Sequence, residues 1–349
     1  MGEITRVGVD LAKQVIQVHG VDEADKAVTR RALARRSFLD WCAKLPAGCL
    51  VVMEACTGAH HWARQLIKLG LSVRLIAPHL VAPYRMQGKR GKNDANDAAA
   101  VCEAAGRPQM HFVPVKTVEQ QGILSVHMVR QGVEKDRTAC INRIRALLAE
   151  FGLVVPVGPH KLRLALPELL EDGANELPGI TRLAIGRLVE RWRALDDDLA
   201  WCDQQITRHA RSDPRARQAQ ELLGIGPLGA SAVVASVSDF SQFKSGRQFA
   251  CWLGITPSQH SSGGKSRLGR ITKHGDDYLR MLLVQGAKTA IQLSKPREER
   301  VWQWAQHLSE RVGWQKAAVA LAAKNARILW AMFTRAQPFV PNHVSVKPA

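Results

Sequence analysis

The chain has 349 residues, of which 46% are hydrophobic and 23% charged, and it carries a formal net charge of +18. A chain of this make-up buries a real core and is not a disordered tail, and so large a basic excess points to a polyanionic partner, since neutralised phosphates release counterions. Asp10 and Lys13 interrupt any apolar start, Lys324 and Arg327 interrupt the alanine-rich stretch 317–333, and no run reaches the ~18 apolar residues of a membrane span, so the sequence reads as soluble and cytoplasmic.

In chain order, Ile4-Thr5-Arg6-Val7-Gly8-Val9 leads to Asp10, and Val15-Ile16-Gln17-Val18 follows a short turn, which predicts a hairpin over 4–21. A helix is expected near 36–45. Cys49-Leu50-Val51-Val52-Met53 reads as a buried strand ending at Glu54, residues 59–69 as a helix, and 71–77 as a strand stopped by Pro78. A basic loop leads into an alanine-rich helix over 93–105. Strands alternating with helices predict a mixed α/β sheet with helices on its faces.

From about 118 to 152 the pattern is helical. Prolines at 156, 159, 167 and 178 are expected to break helices in the next segment. A long helix over about 179–211 carries Leu183, Leu188, Leu195, Leu199 and Ile206, and the two helical stretches read as an antiparallel, coiled-coil-like pair. After Asp213-Pro214, Gly224-Ile225-Gly226 fits either a phosphate-contacting hairpin between helices or a plain tight turn. The remainder is helical and basic. Residues 241–349 hold 17 Lys/Arg against 5 Asp/Glu, a net +12 of the total. Trp302, Trp304, Trp314 and Trp330 fall in these helices, where core packing is expected for most and stacking on unpaired bases is the alternative. The seven cysteines form no Cys-x-x-Cys and read as buried free thiols.

Two groups of residues carry chemistry. Asp10 and Glu54 each end a strand, and Asp94 and Asp97 stand three apart on a helix and so share a face. Four close carboxylates repel one another unless a cation neutralises them or some are protonated, and hard oxygen donors suit Mg²⁺ or Mn²⁺. Singly, each acid is also explained as a turn, a cap or a solvated helix face. The second group is the segment from Gly254 to Gly275, rich in serine, glycine and base. Glycines let a backbone approach phosphate closely, Lys and Arg bond it, and an activated serine attacks phosphorus. On spacing alone, a flexible loop explains the same residues.

Local context adds a resemblance. Val7-Gly8-Val9-Asp10-Leu11-Ala12-Lys13 resembles the G-[IV]-D-x-[AS]-K opening of the RuvC-like domain in insertion-sequence family one hundred and ten, the bridge-RNA-guided transposases. Met53-Glu54-Ala55-Cys56-Thr57-Gly58 resembles the family's E-x-T-G segment, with Cys56 inserted before the Thr-Gly pair. Lys92-Asn93-Asp94-Ala95-Asn96-Asp97-Ala98 resembles its K-T-D-x-x-D-A segment, with Asn93 in place of Thr. Gly254-Ile255-Thr256-Pro257 through Ser262-Gly263 to Thr272-Lys273-His274-Gly275 resembles the block that carries its nucleophilic serine.

The resemblance implies an RuvC-like DEDD domain over 1–152, a helical linker over 153–215 and a mostly α-helical transposase domain over 216–349. Asp10, Glu54, Asp94 and Asp97 would be catalytic and hold Mg²⁺ or Mn²⁺. Ser262 would be the nucleophile, with Ser261 the neighbouring alternative. Lys265, Arg267, Arg270 and Lys273 would hold nucleic-acid backbone, and His260 stands beside them. The implied partners are donor and target double-stranded DNA, an element-encoded guide RNA and further copies of the chain as a dimer or tetramer, with the acids and the serine of different copies combining into one site. A metal-dependent RuvC-like nuclease or junction resolvase and a non-catalytic RNA- or DNA-binding protein are the competing readings.

Overall fold

The computed structural model describes residues 2–85, 94–265, 267–293 and 298–342. The chain divides into two compact units, one of residues 1–118 with 237–242, the other of 119–236 with 243–349.

The first unit is a six-stranded mixed sheet. β1 (Arg6–Leu11), β2 (Val15–Val21) and β3 (Ala27–Ala34) form an antiparallel meander. After the short helix α1 (Phe38–Cys42), β4 (Leu50–Glu54) returns parallel to β1. Helix α2 (Ala59–Lys68) then leads to β5 (Ser72–Ile76), parallel to β4. The one-turn helix α3 (Pro78–Val81) and α4 (Asp94–Ala105) precede β6 (Phe112–Val113), which closes the order β3-β2-β1-β4-β5-β6. This is the mixed sheet expected of an RuvC-like domain.

Strand alternation sorts the residues between two cores. Val7, Val9, Val51, Met53 and Leu75 pack with Phe38, Trp62 and Leu66 of α1 and α2. Val52 and Ile76 pack on the opposite face with Ala100, Val101 and Ala104 of α4. Gly8 lies under α4, where a β-carbon would come within 2.5 Å of the Cys102 nitrogen and closer still to the Ala98 carbonyl oxygen. A bare strand backbone facing a helix of small residues lets the two elements approach closely.

The second unit is built on two long helices, α5 (Val118–Ala149) and α7 (Gly179–Ser212). They run antiparallel, as the ion pairs Arg130–Asp203 and Arg137–Asp196 show by their opposite numbering. Ile141, Ile144 and Leu148 of α5 and Ile185 and Trp192 of α7 share one apolar core with Leu162 and Leu166. Those last two belong to α6 (Pro159–Glu171), a helix in the segment where prolines were expected to prevent one. Pro159 stands in the first turn, where its missing N–H has no intrahelical acceptor to lose. Pro167 lies inside the helix.

Helices α8 (Pro214–Ala219), α9 (Pro227–Ser236) and α10 (Gly246–Trp252) follow. The hairpin β7 (Pro257–Gln259) and β8 (Leu268–Ile271) leads to α11 (Asp277–Leu293), α12 (Arg300–Val312) and α13 (Trp314–Arg335). Gly224 is packed against Gly286 of α11, so the Gly-Ile-Gly turn is a helix-packing contact. A buried polar network holds four helices together. His127 of α5 shares hydrogen bonds with Ser231 of α9 and with Tyr278 of α11, each 2.9 Å long, and His209 of α7 meets the same serine at 3.0 Å. Of the seven cysteines, five are buried as expected, whereas Cys56 and Cys251 are exposed.

Candidate functional site

Alternation along the strands decides where the acids point. Gly8 and Asp10 share a face of β1, and Val52 and Glu54 share the corresponding face of β4, where α4 packs. The parallel register pairs Val9 with Met53, which brings Asp10 and Glu54 side by side at the strand ends. Asp94 and Asp97 occupy the first turn of α4, where the helix dipole favours negative charge. Close packing over Gly8 carries that turn to Asp10. Carboxylate oxygens of Asp10, Asp94 and Asp97 lie within 4.8 Å of one another.

Glu54 is engaged differently. Arg85 donates from Nη2 to Glu54 Oε1 at 2.5 Å, and its Nε is 3.2 Å from Asp97 Oδ1. The expected quartet is thus a group of three acids with Glu54 tied to it through an arginine. No sequence pattern marked Arg85; part of the expected basic loop, and the first residue of the helix expected over 93–105, fall within residues 86–93, which lie outside the described residues.

The electrostatics record the crowding. The Asp10 carboxyl is pushed up to about 6, first by burial and then by the charges of Asp97, Asp94 and Glu54, with Arg85 opposing. Burial also raises Glu54, against the pull of Arg85. The exposed thiol of Cys56 is raised by its own partial burial and by the charges of Glu54 and Asp10. Three convergent carboxylates, one of them held reluctant to ionise by its neighbours, fit a divalent cation: the donors are hard oxygens and the local field is negative.

Among the described residues, the serine segment folds as a hairpin, with β7 paired to β8. Ser262-Gly263-Gly264-Lys265 forms its tip, with Ser262 and Lys265 bridged as antiparallel partners. Gly263 and Gly264 both have positive φ, at 56° and 75°, as a two-residue primed hairpin turn requires. Ser261 braces the tip: its hydroxyl accepts from the Arg267 amide at 3.1 Å and from Gln259 Nε2 at 2.9 Å. His260 pairs through its backbone with Arg267. Ser262 is exposed, and among the described residues its hydroxyl has no hydrogen-bond partner. Lys265, Arg267, Arg270 and Lys273 are all exposed on or beside this hairpin, and among the described residues none of them meets a carboxylate.

The family model of transposases described as IS116/IS110/IS902 matches residues 216–303, and a transposase model of the DEDD type of IS110 matches residues 7–152. A probable family 20 transposase of Pseudomonas aeruginosa is 46% identical over 97% of this chain and 99% of its own length. The transposase for insertion sequence element IS1111A of Coxiella burnetii is 39% identical, over 97% and 92% respectively. That for insertion sequence element IS1328 of Yersinia enterocolitica is 35% identical, over 97% and 99%. Among the described residues, no helix is long and apolar enough to cross a membrane.

Proposed function

Because the chain belongs to the IS116/IS110/IS902 family of insertion-sequence transposases, which are DNA-processing enzymes, we propose that it cuts and rejoins DNA through a covalent serine intermediate, at a site that also uses a divalent cation. The observation that carries this reading is the convergence of Asp10, Asp94 and Asp97 within 4.8 Å, with Glu54 linked to them through Arg85.

When bound, Mg²⁺ or Mn²⁺ would supply Lewis-acid charge for the phosphoryl oxygens, held by Asp10, Asp94, Asp97 and, once Arg85 yields it, Glu54. Ser262 Oγ attacks the scissile phosphorus and loses its proton to water. The bond from phosphorus to the 3′-oxygen breaks, that oxygen takes up a proton, and the 5′-phosphate stays on the serine. Attack by the 3′-hydroxyl of the exchanged strand reverses these steps and releases the serine. A phosphoserine ester conserves the energy of the broken phosphodiester, which attack by water would lose. Lys265, Arg267, Arg270 and Lys273 hold the DNA or RNA backbone and offset charge developing on the phosphoryl oxygens. Sequence choice belongs to a guide RNA paired with the donor and target DNA. The acids and the serine lie in different compact units of the chain, and we propose that copies of the chain, as a dimer or tetramer, combine them.

The test is adduct capture on a labelled, nicked suicide duplex with Mg²⁺, read on a denaturing gel. Wild type should yield a protein–DNA adduct, EDTA should suppress it, and Ser262→Ala should bind DNA without forming it. DNA cutting by wild type with no adduct would establish the water-driven nuclease instead.

A further inference from the structure

A cavity of about 1150 Å³ opens in the second unit between α12, α13 and the chain that follows α13. Ligand pockets run to roughly 300–1,000 Å³, so this one is large enough for more than a small ion. Most of its wall, including all of α13, lies beyond the residues that the family model matches.

The wall has two chemistries. Lys324, Arg327 and Arg335 fall along one side of α13 at helical spacing, and Arg300 opens α12 beside them. Four cations therefore face one space, and among the described residues no aspartate or glutamate lines it. Among the described residues none of the four makes an ion pair with a carboxylate. Burial and the nearby charges of Arg327 and Arg300 depress the basicity of Lys324. The second chemistry is apolar and aromatic. Trp304 and Phe339 line the same cavity, and the Lys324 ammonium stands 4.2 Å from the centre of the Trp304 ring. A flat apolar ring therefore reaches the wall together with a cation.

We propose that this cavity binds an unpaired nucleotide of a nucleic-acid strand, with phosphate on Arg300, Lys324, Arg327 and Arg335 and the base against Trp304 and Phe339. The assignment rests on the nucleic-acid reading of the chain and adds to it a second place of contact, apart from the serine hairpin. Charge complementarity selects an anion, and the aromatic wall selects one that carries a flat ring. A duplex offers phosphates on a convex surface and keeps its bases stacked inside, so it cannot fill both halves of such a cavity. A single strand can, because base–aromatic stacking and backbone neutralisation are the two terms of single-strand binding. DNA and RNA strands share this chemistry.

The experiment uses the full chain in EDTA and measures fluorescence anisotropy with labelled poly-dT, poly-U and a duplex. Arg327→Gln with Arg335→Gln should weaken single-strand binding about ten-fold and flatten its salt dependence by about 1.4 in the log–log slope. Trp304→Leu should weaken it about ten-fold, and Trp304→Phe should restore it. Both arginines are exposed, so their replacement leaves the melting curve as in wild type, which separates lost contacts from lost folding. Photo-crosslinking with bromodeoxyuridine or thiouridine strands should label residues between 300 and 341. Loss with poly-dT alone assigns the site to DNA, loss with poly-U alone assigns it to RNA, and loss with both assigns it to either. Unchanged single-strand binding in all variants, or an equal loss for the duplex, overturns the proposal. Adduct formation on the nicked duplex is scored in parallel. An adduct with neutral cavity variants refutes the cavity and leaves recombination standing; no adduct with weakened strand binding does the converse.

Discussion

Replacing Gly8 by alanine tests whether the acid group is assembled by helix packing. The new β-carbon would lie 2.5 Å from the Cys102 nitrogen, 2.6 Å from its Cβ and nearer still to the Ala98 oxygen. Carbon seeks about 3.5–4.0 Å from its neighbours, so α4 must lift by on the order of 1 Å at that point. Overpacking of this kind costs about 1–3 kcal/mol. The larger consequence is positional. Asp94 and Asp97 ride on the first turn of the displaced helix, while Asp10 stays on β1. A displacement of about 1 Å in a reacting constellation costs on the order of 10²-fold in rate. Gly8→Ala should therefore lower adduct formation by about two orders of magnitude and weaken Mg²⁺ binding measured by calorimetry, while a thermal melt still shows a cooperative transition. A variant that melts as expected yet retains wild-type Mg²⁺ affinity and adduct yield would refute the argument that contact at Gly8 sets the acid geometry.

Three further outcomes follow. The His127 imidazole is held down to about 4, mostly by burial and then by His209 and Arg130, so the folded form stays neutral while the unfolded chain takes up a proton below about 6.5. The associated stability is fully present above about pH 6.5 and is lost as pH falls toward 4, about 2 kcal/mol of it by pH 5; urea unfolding of wild type and His127→Phe at pH 7.5 and 5 checks this, and equal pH dependence in both would contradict it. Ser261→Ala removes two hydrogen bonds that brace the hairpin and should lower adduct yield several-fold, whereas Ser262→Ala abolishes it; the reverse ranking would move the nucleophile to Ser261. Protein purified at low salt should carry a discrete RNA species, identified by sequencing and shed steeply with added salt, and recombination undiminished without RNA would exclude a guide.

Much of the sheet was legible because each buried strand is a short apolar run ending in punctuation. Val7 and Val9 alternate with Gly8 and Asp10, and Cys49 to Met53 stop at Glu54. β3 was not legible: its burial pattern is mostly exposed, and Arg30 and Arg31 on an edge strand leave little hydrophobic alternation to read. The turn before it did carry a signal, since Asp22 accepts from the Ala24 and Lys26 amides in an Asx-type turn. The serine hairpin was read as a loop because β7 has three residues and β8 four, although Gly-Gly between them is a recognised turn pair. For α6, two of the counted prolines misled. One of them, at the first helical turn, is a helix-starting signal. The four acids were visible as residues, but the role of Arg85 was not, because an arginine 31 positions from Glu54 has no spacing that pairs them.

Opposite charges at the two signatures give a reason to assign them to one reaction. A group of carboxylates repels a phosphodiester, and on its own it is a poor place for DNA to bind. The exposed hairpin offers four cations and a hydroxyl without internal partners among the described residues, but no group that would draw charge from a scissile phosphate as strongly as a divalent ion does. Arg85 shows how finely the acid group is balanced, since a single guanidinium is shared between Glu54 and Asp97. A divalent cation brings twice that charge to the same oxygens and would compete with Arg85 for them. On the proposed mechanism Glu54 would then exchange Arg85 for the cation, and the arginine would be left as a further positive group for the phosphate backbone. Phosphoryl transfer needs a neutralised backbone, a nucleophile and concentrated positive charge at the scissile group. On the proposed mechanism the hairpin would supply the first two and the acids, with a cation bound, the third, so neither signature would suffice without the other.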